Sequence, residues 1–66
     1  MTITLNGEKR GFDAPMPLTS LLEKLGLAGR PVVVEHNQKA LLPGEIETAQ
    51  VADGDVIELV QITAGG

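Results

Sequence analysis

The sequence predicts an α+β fold, a mixed sheet of about five strands packed on one short helix. Three observations carry that prediction. Polar and β-branched residues alternate on either side of Asn6-Gly7, leucines recur at helical spacing from Leu18, and a dense apolar run, Val56 to Ile62, follows the turn-forming Asp53-Gly54-Asp55.

Thr2-Ile3-Thr4-Leu5 reads as a strand, and Asn-Gly is the strongest short hairpin signal, so Glu8 to Phe12 is expected to run back antiparallel. Asp13, Pro15 and Pro17 then break the ladder. Leu18, Leu21, Leu22 and Leu25 fall at i, i+3, i+4 and i+7 and form one apolar stripe, with Thr19, Ser20, Glu23 and Lys24 off it. Pro17 suits the entrance of this helix and Gly26 its exit, while Ser20 with Glu23 also matches a capping box that would move the start inward. The stripe reads as core. Pro31 to His36 is rich in β-branched residues, and Asn37-Gln38 marks a turn into Lys39-Ala40-Leu41-Leu42, a second and looser hairpin. Pro43-Gly44 is read as another turn. Glu45 to Ala52 has no steady period and is read as loop with room for a single helical turn. The last strand is apolar enough to lie inside the sheet, most simply beside the first.

At 66 residues there is room for a single core and no large enclosed pocket. The chain is 42% hydrophobic, with Phe12 its one aromatic residue, and carries a formal net charge of −4. An acidic chain nearly without aromatic side chains lacks the basic face and stacking platforms that nucleic acid requires, and a basic protein surface suits it better. No run is long and apolar enough for a membrane span, and no signal peptide is evident, so the cytoplasm is the expected location. Without cysteine, disulfides, thiolate metal sites and persulfides on this chain are excluded. His36 is the lone histidine, expected at the surface or the edge of a turn, with no partners for a metal site or a catalytic triad. No glycine-rich phosphate loop is present. An intrinsic enzyme is not expected, and neither is a bound cofactor.

The chain ends Ile62-Thr63-Ala64-Gly65-Gly66. At average usage of about 7% glycine, two glycines in the last two positions is roughly a 1-in-200 event, so a frayed end has to be weighed against a purpose. Two residues without side chains can thread a narrow cleft and present a terminal carboxylate to another protein's active site.

The Asn6-Gly7 hairpin, the Leu21-Leu22-x-x-Leu25 helix, the Val51-x-Asp53-Gly54-Asp55 turn before a final strand, and Gly65-Gly66 at the end together resemble the sulfur carrier family of thiamine biosynthesis, which is β-grasp and ubiquitin-like. The resemblance spans the whole chain. It implies a β-grasp domain over residues 1–62, a flexible tail over 63–66, and a protein that is a cosubstrate rather than a catalyst. In that family an E1-like activating enzyme uses ATP, with Mg, to adenylate the terminal carboxylate, here that of Gly66. Sulfur from a cysteine desulfurase then replaces AMP, and the resulting thiocarboxylate delivers it to thiazole synthase. Gly65 and Ala64 would lie in the partner's channel. The free carrier is expected to be a monomer. The small subunit of molybdopterin synthase shares both signatures and is usually longer. A ubiquitin-like modifier, or an interaction domain with an inert tail, fits the same ending.

Alternation in the last strand sets Ile57 and Leu59 on one face and Val56, Glu58, Val60 and Ile62 on the other. Since Glu58 prefers water, Val60 and Ile62 become solvent-facing residues beside the tail, and with Glu58 they form the expected docking patch for the activating enzyme. The competing possibility is that neighbouring side chains or strand twist cover them. Val33 and Glu35 extend the same face if Val32 and Val34 point inward. Asp53, Asp55 and Glu58 read either as a cluster for a basic partner or as turn formers and solvated charges.

Overall fold

A computed structural model describes residues 1–63 of the chain. Its elements in order are β1 (Thr2–Leu5), β2 (Glu8–Gly11), β3 (Met16–Pro17), α1 (Leu18–Lys24), β4 (Val32–His36), β5 (Lys39–Ala40), α2 (Pro43–Thr48), β6 (Gln50–Val51) and β7 (Val56–Gln61). The main sheet has five strands in the order β2-β1-β7-β4-β5, and β3 pairs with β6 in a separate two-stranded ladder. The sheet is mixed: β1 and β7 are parallel, and β2, β4 and β5 run antiparallel to their neighbours. The α+β class and the placing of the last strand beside the first are as the sequence predicts.

The first hairpin turns on Asn6 and Gly7, both at positive φ (49° and 83°), the conformation that matches the twist of the flanking strands. The second hairpin is no looser. His36 is registered directly opposite Lys39, so Asn37 and Gln38 alone make the turn, again both at positive φ. Gln38 is not a residue that announces such a turn, which is why its tightness is hidden in the sequence.

Helix α1 starts at Leu18 behind Pro17, with no side-chain cap, so the inward Ser20–Glu23 start is not used. Its exit is a Schellman motif: the Leu27 N–H donates to the Leu22 carbonyl at 2.8 Å and the Gly26 N–H to the Glu23 carbonyl at 3.0 Å. Gly26 takes the required positive φ of 75°, where a side chain would be strained. Leu18, Leu21 and Leu22 are buried against Ile3, Leu5, Val34, Ile57 and Leu59 on one face of the sheet, and Val51 closes the cluster.

Two departures concern the segment after β5. Pro43-Gly44 opens a helix instead of a turn, with Pro43 in the first turn, where its missing N–H costs nothing. The Glu45 carboxylate accepts a hydrogen bond from the Leu42 N–H at 2.9 Å, half of a capping box, since Leu42 has no side-chain oxygen to return the bond. That backbone contact first, and Lys39 at 3.0 Å second, hold the Glu45 carboxyl below its ordinary value. Then Gln50–Val51 pairs with Met16–Pro17, and the Leu18 N–H bonds the Ala49 carbonyl, which staples the entrance of α1 to the end of α2. Among the described residues, no helix is long and apolar enough to cross a membrane.

Candidate functional site at the end of the last strand

Strand β7 is the centre of the sheet and the segment that leads to the chain's end. Ile57 and Leu59 are buried, and Val56, Val60 and Ile62 are 43%, 60% and 53% exposed, with Val33 beside them at 48%. Val60 is registered opposite Val33, and both face solvent, so no side chain among the described residues covers the patch. Val34 is buried and Val32 half-buried, so the face extends through Val33 and Glu35 as expected. Glu58 is exposed and registered opposite Glu35. Two like charges facing each other on an open sheet are mildly destabilising. Ile62 lies one residue past the strand, its N–H still bonded to the Pro31 carbonyl at 3.0 Å.

The entrance of β7 is built differently. Asp55 is a hub: one carboxylate oxygen, Oδ2, lies 2.8 Å from His36 Nε2 and accepts from the Ala52 N–H at 2.9 Å, while Oδ1 accepts from Asn37 Nδ2 at 3.1 Å. The side chains of His36 and Asp55 are only 21% and 15% exposed. Burial pushes the Asp55 carboxyl up, but His36, the Ala52 N–H and Asn37 together outweigh it and hold the group below its ordinary value. Asn37 also accepts from the Val56 N–H at 2.8 Å through its side-chain oxygen. On the other flank the Asn6 amide acts as a surrogate peptide group, accepting from the Leu59 N–H at 2.7 Å and donating to the Leu59 carbonyl at 3.2 Å. It thereby extends the β1–β7 ladder beyond the end of β1.

These bonds decide between the two readings of the acidic residues, in favour of turn formers at Asp53 and Asp55. Asp55 is not a solvated charge awaiting a basic partner, because both of its oxygens are committed within the fold. Asp53 is tied as well, accepting from the Thr2 N–H at 2.7 Å. Of the three acids, Glu58 alone has no hydrogen-bond partner among the described residues. His36 does sit at a turn edge, with its Nε2 hydrogen-bonded to the mostly buried Asp55 carboxylate. Asn6 and Asn37 are legible as turn residues; their second role, bonding β7 through the side chain, depends on residues 53 and 19 positions away and leaves no local signal. Ala64, Gly65 and Gly66 lie outside the described residues. Among those described, no group of three or more His, Cys, Asp or Glu is placed to hold a metal ion.

A mixed sheet ordered β2-β1-β7-β4-β5, with α1 packed on one face and the last strand at its centre, defines the β-grasp fold. The ThiS family model matches residues 3–66, and the chain belongs to the ThiS family. The sulfur carrier protein ThiS of Thermus thermophilus is 36% identical over 64 residues, covering 97% of this chain and 98% of that one. A thiazole synthase of Paramagnetospirillum magneticum is 38% identical over the full 66 residues, which make up 20% of its own length. Among solved structures, the crystal structure of the thiamine biosynthesis protein ThiS from Geobacter metallireducens superposes with a TM-score of 0.84 at 32% identity, covering the whole of both chains. The solution structure of a thiamine biosynthesis protein from the same organism gives 0.82 at the same identity, with 88% of that chain covered.

Proposed function

We propose that this chain is a sulfur carrier for thiazole formation in thiamine biosynthesis, working in the cytoplasm as a monomer between partner enzymes. The observation that carries the reading is the family match, which runs through residue 66 and so includes the terminal Gly65-Gly66. A carboxylate is a poor electrophile until one oxygen becomes part of a good leaving group. The Gly66 carboxylate attacks the α-phosphorus of Mg-bound ATP on an E1-like activating enzyme, and pyrophosphate leaves. A persulfide from a cysteine desulfurase attacks the acyl carbon, AMP departs, and a second thiol takes over the remaining disulfide to release the Gly66 thiocarboxylate. That soft sulfur is the nucleophile delivered to thiazole synthase. Gly65 and Ala64 form the thin lead that enters each active site, and Val60, Ile62 and Glu58 form the docking face behind it.

The thiazole synthase relative favours this acceptor over a molybdopterin or protein-modifier role, because a segment similar to this chain forms part of a protein bearing that name. Intact-mass measurement after incubation with ATP, Mg, the activating enzyme and the sulfur donor should show one oxygen of the chain replaced by sulfur, and deletion of Gly66 should abolish it. An unchanged mass for the complete chain sinks the carrier reading. Conjugate ladders on lysines, lost on the same deletion, would replace it with a modifier.

A further inference from the structure

Main-chain hydrogen bonding along β7 alternates strictly. Val56 and Ile62 bond toward β4, through Asn37 N–H to the Val56 carbonyl and Ile62 N–H to the Pro31 carbonyl. The antiparallel register places Glu58 and Val60 in the same set. The odd residues bond toward β1: the Asp55 and Ile57 carbonyls accept from Thr4 and Asn6, and Leu59 is bonded by the Asn6 side chain at both its N–H and its carbonyl. At that point β1 has already turned into its hairpin. Gln61 is the next odd residue, and among the described residues its N–H and carbonyl have no partner. It is exposed. The centre of the sheet therefore becomes an edge strand in its last stretch, three residues before the part of the chain left undescribed.

An edge with unpaired N–H and C=O groups is a template for another strand. We propose that the free edge of β7 at Gln61 pairs, main chain to main chain, with an extended segment of the enzyme that acts on the chain's C-terminus. This rests on the carrier role proposed for the chain. The chemistry of the edge selects the occupant: Gln61 offers an N–H donor and a C=O acceptor side by side on one edge of the strand, which an extended backbone matches and a helix, whose own groups are paired internally, does not. Gln61 stands three residues before Ala64 in the sequence, so pairing there would engage the chain next to the end on which the enzyme acts. Val60 and Ile62 project from the same stretch to supply side-chain contacts, and Asn6 closes the ladder on the inner side, which fixes Gln61 as the first residue available.

The test separates backbone from side chain at one position. Gln61→Pro removes the free N–H at a site where no β4 bond is lost and proline is tolerated in a strand, and Gln61→Ala keeps the N–H while removing the side chain. With the activating enzyme, ATP and Mg, the proline variant should raise the KM for the carrier about tenfold with kcat unchanged, and the alanine variant should behave as wild type. Equal KM values for the two variants, both shown to be folded by protected Val60 and Ile62 amides, overturn the proposal while the carrier role stands. Failure of the wild-type chain to be adenylated removes both. Amide exchange on the wild-type complex decides the matter even if the proline variant does not fold: slowed exchange at Gln61 supports strand pairing, and an unchanged rate with the enzyme bound overturns it.

Discussion

The two ends of β7 make opposite use of the same strand. Its entrance is gripped by side chains, with Asp55 binding His36, Asn37 and the Ala52 N–H, and the grip continues on the β1 flank as far as Leu59 through Asn6. Its exit has an edge at Gln61 with no partner among the described residues, and exposed valine and isoleucine side chains. Side-chain polar groups therefore hold the strand at one end, and backbone and apolar surface are left open at the other. The role proposed above, one terminus presented to successive partners, would need this asymmetry, because a strand able to slip would change how far its tail reaches.

The largest effect should come from releasing the entrance. Asp55→Ala strands His36, Asn37 and the Ala52 N–H together, and hydrogen bonds to a mostly buried charge are worth roughly 1.5–3 kcal/mol, so urea unfolding should show a loss of about that size. Acidification is a gentler form of the same cut. The folded pKa of Asp55 lies below its ordinary value of 3.8, so the unfolded chain takes up the proton first as pH falls. The stability this group contributes is complete above its unfolded pKa and drains away as pH drops through the lower, folded one. Midpoints measured from pH 6 downward should fall in that acid range, and Asp55→Asn should show a shallower fall. An identical slope in the two proteins would mean that Asp55 is not the hub described.

Much of this molecule can be read from its sequence, and what escapes does so for physical reasons. Asn6-Gly7 and the Leu18 stripe are local signals written at full period. Helix α2 is six residues long, too short for an apolar repeat, and its Pro43-Gly44 opening is as good a turn as it is a helix start. The β3 and β6 strands are two residues each and exist only because tertiary contact brings them together. At the site, alternation is enough to orient Glu58, Val60 and Ile62 correctly. The grip on the other end is not legible, since an Asp in an Asp-Gly turn looks the same whether its oxygens face water or a histidine on another strand.

Asn6 offers an intermediate test, because it serves the turn and the strand at once. Asn6→Gly keeps the positive φ that the hairpin requires and removes only the amide that bonds Leu59. Two neutral hydrogen bonds at about 1 kcal/mol each, partly recovered by water at this exposed turn, predict a loss of about 1–2 kcal/mol in urea unfolding. Asn6→Asp retains the acceptor for the Leu59 N–H and loses the donor, and should fall between glycine and wild type. A glycine variant as stable as wild type would show that backbone pairing alone holds β7 against β1.

The smallest effect on stability should come from the open face, and there its sign should reverse. Glu58 faces Glu35 across the β4–β7 pair, so Glu58→Lys turns a like-charge pair into an opposite-charge one at an exposed position. Cross-strand pairs of this kind are worth roughly 0.2–1 kcal/mol, and exposure and salt place this one at the low end, so the variant should be as stable as wild type or slightly more so. If the Glu58 face docks a basic surface on the activating enzyme, the same change should slow association, with the difference shrinking as ionic strength rises. A variant that gains stability and loses association rate would show that Glu35 and Glu58 are kept opposed for the partner's sake. A variant with an unchanged rate at low salt would remove Glu58 from the docking face and leave Val60 and Ile62 to define it.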